Sequence, residues 1–129
     1  MKLIIACATD DGRTYSAGHF GEARYYVLYE MTETTWTFLQ NLSNTSKQEK
    51  GHADPEKAKN VMELLAEKQV QVAVATQFGP NIGRIKQHVV PVLVKAGGLD
   101  AGCAKVLENR AAIIDEFRKG AARSFLVLP

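Results

Sequence analysis

The chain has 129 residues, 46% of them hydrophobic, which suits one domain, residues 1–129, with a buried core. Its formal charge of +2 comes from 16 basic and 14 acidic residues scattered along the sequence, so nothing resembles a nucleic-acid-binding arm. No apolar run reaches the roughly 18 residues that cross a bilayer, and the apolar centre of Met1–Gly12 is too short for a signal peptide. A cytoplasmic protein with no membrane partner is expected.

In chain order, "KLIIACA" reads as a fully buried strand, and "RYYVLYEM" and "TWTFLQNL" as two β-branched and aromatic strands joined by the polar "TET". The polar stretch "SNTSKQEKGHA" leads to a helix, with Asp54 as its cap and Pro55 in the first position. Ala58, Val61, Met62 and Leu65 form its apolar stripe, and the helix is expected to end near Lys68. "VQVAVAT" is a fourth strand, "GPNIGRIKQH" a short helix and "VVPVLVKA" a fifth strand. A long helix then runs from about Ala101 to Lys119, capped by Asp100 and stopped at Gly120. The tail "RSFLVLP" reads either as a sixth short strand or as an arm onto a partner chain.

Alternating strands and helices imply parallel βαβ units. Right-handed crossovers then favour an α/β fold with a five-stranded mixed sheet, order 3-2-1-4-5, strand 2 antiparallel and helices on both faces. Pro91, which lacks an N–H donor, fits strand 5 as an edge.

In such a sheet, ligands favour the carboxyl ends of the parallel strands, above all where the winding direction switches, here between strands 1 and 4. Four loops converge there: "TDDGRTYSAGHFG", "SNTSKQEKGHADP", "TQFGPN" and "KAGGLDAGC". They hold His19, His52, Cys103 and most of the glycines, whereas His88 falls at the opposite end.

Each of these residues also has a plainer reading. His19, flanked by small neighbours in "AGHFG", suits either a metal ligand or an exposed turn, as does His52 in its polar segment. Asp10 and Asp11 read as turn formers beside Gly12 rather than as a cation site. Cys103 lies in the first turn of a helix, where the dipole would favour thiolate, although burial against the sheet is the alternative. Cys7 belongs to the core, and with no CxxC pair both thiols are expected to be reduced. The glycines of "TQFGPN" and "KAGGLDAG" would bring backbone N–H groups towards an anion at two helix starts.

The chain resembles the dinitrogenase iron-molybdenum cofactor biosynthesis domain family, which has a ribonuclease H-like fold, over about residues 1–119. The resemblance rests on "TDDG" after the first strand, on "HFGEARYYVLYE", and on the order and spacing within "GHADPEKAKNVMELLAEKQVQVAVATQFGPNIGRIKQHVVPVLVKAGG". It implies a binding or carrier protein, not an enzyme, for an iron-molybdenum or related metal-sulfur cofactor or its precursor. It also implies cofactor-assembly proteins as partners, a link to nitrogen fixation, and a monomer or weak homodimer.

The family's "HFG" falls on His19, Phe20 and Gly21, and its Gly-Pro turn on Gly79 and Pro80. With Thr9 and Asp10 these form the expected cofactor-binding set, and His19, His52 and Cys103 are the candidate metal ligands. A His-rich loop common in the family is reduced here to "KGHADP". Arg24 or Arg84 would supply positive charge for an anionic cluster.

Two other functions compete with the carrier role. One is an interaction or regulatory module without a prosthetic group, using the aromatic hairpin or the tail. The other is a metal-dependent phosphoryl-transfer enzyme, disfavoured because the central strand carries no carboxylate.

Overall fold

The fold is described from a computed structural model covering residues 1–44 and 55–129, with the backbone only for 55–60. The expected cap Asp54, the side chain of Ala58 and His52 lie outside the described residues.

Strands β1 (Leu3–Thr9), β2 (Tyr25–Met31), β3 (Trp36–Ser43), β4 (Val72–Ala75), β5 (Val90–Leu93) and β6 (Leu126–Val127) form one sheet. Helices α1 (Pro55–Glu67), α2 (Ile82–Ile85), α3 (Leu99–Glu108) and α4 (Arg110–Arg118) connect and cover it. None of the described helices is long and apolar enough to cross a membrane.

The strand order is β3-β2-β1-β4-β5-β6. β2 is antiparallel to both neighbours, while β4 and β5 run parallel to β1, as the alternation of elements implies. β1 is central and buried on both faces, and Cys7 sits opposite Val27 on one side and Val74 on the other.

Side chains alternate across this sheet into two cores. On one face Leu3, Ile5, Cys7, Val72, Val74, Val90 and Val92 pack with Cys103, Val106 and Ile113 of α3 and α4. On the other, Ala6, Ala8, Tyr26, Leu28 and Ala73 pack with Val61, Met62 and Leu65 of α1 and Ile85 of α2. The small residues on this second face leave room for two phenylalanines, Phe20 and Phe78.

Three expectations need correction. Among the described residues the sheet has six strands, not five: the tail folds back as β6, parallel to β5, and Leu128 N–H donates to Leu93 O at 2.9 Å. Arg123 steers the chain there by donating to Phe117 O and Gln87 O, both at 2.9 Å, with its guanidinium over the Phe117 ring. β5 is therefore an inner strand. Pro91 survives there because Val90 and Val94 direct their N–H groups at β4, so by alternation the proline nitrogen faces the β6 side. β6 pairs only from Val92 onward.

The long helix is also two helices. Asn109 leaves helical geometry at φ −109° and ψ 18°, and its side-chain amide donates to Lys105 O at 2.8 Å, a local bond that competes with the helix ladder. Finally, the cap of α3 is Gly98 rather than Asp100, which lies inside the first turn. Gly120 ends α4 as expected, at φ +61°.

Candidate functional site

The chain leaves β1 at the carboxyl edge of the sheet and returns to β2 fifteen residues later, and this loop is stitched to its neighbours on both sides. Its first part is a turn built on Asp11. One carboxylate oxygen accepts the N–H groups of Arg13 and Thr14, both at 2.8 Å, and the other accepts the Thr14 hydroxyl at 2.9 Å. These donors, the Thr14 amide foremost, hold the Asp11 carboxyl well below the usual carboxylate range.

Thr9, fully buried, donates its hydroxyl to Thr14 O at 2.5 Å and accepts from Gly12 N–H at 2.9 Å. Asp10 accepts from Arg24 N–H at 2.9 Å and from the Ser16 hydroxyl at 3.0 Å. "TDDG" is thus turn chemistry, and both carboxylates serve the loop itself.

The next residue, Tyr15, turns into the α3 face. Its N–H donates to Gly97 O at 3.0 Å, and its hydroxyl lies 3.1 Å from Leu99 O and 3.5 Å from Cys7 Sγ. Gly102 is the floor of this socket, since a Cβ there would overlap the phenol ring. Burial pushes the phenol up, out of its ordinary range.

The loop then crosses to the other face. Thr76 Oγ1 donates to Ser16 O at 2.9 Å, Gln77 Nε2 to Ala17 O at 2.6 Å, and Phe20 N–H to Gln77 O at 2.9 Å. The Phe20 ring, fully buried, stacks on Phe78 with centroids 5.2 Å apart and tilts against Tyr26 at 4.9 Å. From the end of β3, Asn44 Nδ2 closes the rim with bonds to Gly21 O at 3.0 Å and Ala23 O at 2.8 Å.

His19, partly exposed, sits between these two anchors and caps the 3-10 turn Phe20–Glu22. Its Nδ1 is 3.3 Å from Glu22 Oε1, and the same oxygen accepts the His19 N–H at 3.2 Å. The imidazole lies flat against Gly79: a Cβ on that glycine would come within 2.5 Å of Nδ1. Gly79 is therefore required twice, by its φ of +76° and by the ring resting on it. Two motifs about sixty residues apart, "HFG" and the Gly-Pro turn, meet in one contact.

The site residues named from sequence divide accordingly. His19, Gly21, Gly79, Pro80, Thr9 and Asp10 all lie at this rim, with Pro80 exposed and Gly21 open above its Cα. Phe20 is at the rim in sequence but its ring is core, because the small residues beneath it make a pocket for it. The Phe20 ring therefore lies buried beneath the rim rather than on its surface.

Cys103 is not brought to His19. It is fully buried on the opposite face of the sheet, against Cys7, and its hydrogen bond to Cys7 together with burial pushes its thiol far up, overriding any helix-dipole effect. Among the described residues no three His, Cys, Asp or Glu side chains come close enough to hold a metal ion.

Of the two arginines, Arg24 is exposed at the rim next to Asp10, and Arg84 lies away from it in a depression with Met62 and His88. At the two expected backbone anion sites, one N–H each is bonded within the protein: Ile82 N–H donates to Gly79 O at 3.2 Å, and Leu99 N–H to Arg13 O at 2.9 Å. α2, at four residues, is also too short for an appreciable dipole.

Tyr15, Glu22 and Asn44 are the rim residues that sequence reasoning overlooked. Only Glu22 left a signal, an acid three residues after the His19 cap.

Among curated proteins, none matches the chain. A family model does, that of the dinitrogenase iron-molybdenum cofactor family, over residues 1–109, which spans β1 to the end of α3 and contains the whole rim. The chain belongs to the dinitrogenase iron-molybdenum cofactor family.

Proposed function

We propose that this protein is a binding and carrier protein for an iron-molybdenum or related metal-sulfur cofactor or its precursor, with His19 at the centre of the binding rim. The observation that carries this reading is the seating of the His19 imidazole on Gly79, between β1 and β4 where the winding direction switches. Family membership supplies the cargo class. A ribonuclease H-like relationship, a cytoplasmic setting and cofactor-assembly proteins as partners belong to the same proposal.

The donor set suits a reversible hold. Glu22 Oε1, 3.3 Å from Nδ1, would orient a ligating imidazole. The exposed cations Arg13, Arg24 and Lys95 on the rim loops favour an anionic cargo. One imidazole with cationic surroundings gives capture without a closed ligand shell, and a carrier must release what it holds.

The same residues speak against catalysis. Metal-dependent phosphoryl transfer needs several carboxylates free to hold cations, and Asp10 and Asp11 are engaged with backbone and hydroxyl donors. We accordingly read it as a binding protein rather than a phosphoryl-transfer enzyme. An interaction module remains the second reading, favoured by the exposed Phe38 and Leu39 on the edge strand β3.

The test is anaerobic titration with tetrathiomolybdate and ferrous iron. A visible charge-transfer band is expected on the protein, weakened at least about tenfold in affinity by His19→Ala, the loss of roughly one good ligand contact. No protein-bound band, or a band that His19→Ala leaves unchanged, removes the proposal.

A further inference from the structure

At the amino ends of β4 and β5, away from the His19 rim, two depressions lie side by side between the second half of α1 and the turn that joins α2 to β5. Met62, Ala66 and His88 line both and form their junction. One, of about 300 Å³, is bordered by Glu63, Arg84 and Gln87, all exposed. The other, of about 340 Å³, has an apolar floor of buried Leu65, Val70 and Val89, with Phe117 also in its lining.

The two halves differ in chemistry. In the charged half, Arg84 and Glu63 border the same depression without neutralising each other: among the described residues neither side chain makes an ion pair or a hydrogen bond. Each is thus open to a group of opposite charge, the guanidinium fork to a carboxylate and the Glu63 carboxylate to an ammonium. Gln87 and His88 border this half too and add N–H donors for a carboxylate. The apolar half offers its floor only to a side chain without charge, since a buried charge there would have no partner.

We propose that the paired depressions bind a free L-amino acid with a large apolar side chain. Its carboxylate meets Arg84, its ammonium meets Glu63, and its side chain crosses the junction at Ala66 to lie over Leu65, Val70 and Val89. The dimensions agree with this class, because small-molecule pockets start near 300 Å³ and combine a mostly apolar lining with a few polar groups that fix orientation. A simple carboxylic acid would satisfy Arg84 and leave Glu63 beside an anion. The site shares no residue with the His19 rim, so it stands or falls apart from the metal-sulfur cargo.

The experiment is an amide-NMR titration of the full chain with L-phenylalanine. Saturable shifts are expected at the amides of Ala66, Gln69, Gln87 and His88, and His19→Ala should bind as the wild type does. Ala66→Leu keeps a good helix former at an exposed position and fills the junction, so it should abolish binding in a folded protein. Arg84→Gln should weaken phenylalanine about tenfold or more, and L-phenylalaninamide, without the carboxylate, should bind the wild type as weakly. 3-Phenylpropanoate, which lacks only the ammonium, should bind the wild type about fivefold more weakly than phenylalanine, and Glu63→Gln should erase that difference. No saturable shift up to about 10 mM phenylalanine overturns the site. Shifts that Ala66→Leu and Arg84→Gln leave unchanged overturn its location. Phenylpropanoate bound as tightly as phenylalanine overturns the amino-acid class.

Discussion

The loop after β1 is pinned by two aromatic residues five positions apart, and they are pinned in opposite ways. Tyr15 enters the α3 face, in a socket of the Cys7 sulfur, a carbonyl and a helical glycine. Phe20 enters the α1 and α2 face, in an all-aromatic stack with Phe78 and Tyr26. A loop that straddles the edge of a sheet cannot rely on one core, and His19 stays partly exposed between the buried Tyr15 and Phe20. The apolar anchor contributes stability through area and packing, while the polar one contributes specificity of placement.

The largest expected effect comes from breaking the apolar anchor. Phe20→Ala removes a fully buried ring beneath the site and should cost about 3–5 kcal/mol in urea unfolding. A loss under about 1 kcal/mol would mean that Phe78 and Tyr26 collapse into the space, and that the two anchors are not distinct in kind.

At the polar anchor the sign is the informative quantity. A helical Gly→Ala change ordinarily gains up to about 1 kcal/mol. Gly102→Ala should instead lose about 1–3 kcal/mol, because its methyl group and the Tyr15 ring claim the same space. In the Tyr15→Ala background the same change should become favourable, a coupling that a double-mutant cycle reads directly. Gly102→Ala that stabilises the wild-type protein would show that Tyr15 is not seated in the socket.

This contrast also explains what could be read from sequence. The order of the first five strands, the two-faced covering by helices and the convergence of loops at one rim follow from local periodicity and from the handedness of crossovers, which are properties of contiguous segments. β6 was only half legible because two paired residues carry no period, and its place depends on Arg123 reaching carbonyls of other elements. The break at Asn109 depends on one side-chain amide that an unbroken apolar stripe conceals. His19 and Gly79 could be named as motif residues, but their contact could not, since it needs the register of β1 against β4. Cys103 was misplaced for a related reason: α3 begins at Leu99, so Cys103 is its fifth residue, past the first turn, and helix phase turns it into the core shared with Cys7 rather than to the rim.

Between the anchors, Gly79→Ala tests the seat of His19. The left-handed backbone alone should cost about 1–2 kcal/mol, and the added methyl group must also displace the imidazole. The predicted outcome is a folded protein whose tetrathiomolybdate–iron affinity falls as far as that of His19→Ala. Gly83→Ala, in α2 with open space at that Cβ and no positive φ, should leave cargo affinity unchanged and cost no stability. Normal cargo affinity in Gly79→Ala would separate the imidazole's seat from its function.

The smallest effect is electrostatic and concerns the turn that leads into Tyr15. Asp11 is exposed, so its contribution to global stability is screened, but the bonds from Thr14 and Arg13 still lower its pKa. A depressed carboxyl pKa means that the folded turn prefers the ionised form, so its stabilisation is present above the ordinary aspartate value of about 3.9 and is lost as pH falls through the lower folded value. NMR titration of the Arg13 and Thr14 amide resonances should find them unmoved from neutral pH to about 3.9, shifting only below it. In Asp11→Asn the acid shift should vanish, with cargo affinity little changed, because the Asp11 carboxylate holds the turn rather than the ligand. Amides that titrate at the ordinary aspartate value would mean that Asp11 is not committed to the turn, and would return its carboxylate to the residues able to meet a cation at the rim.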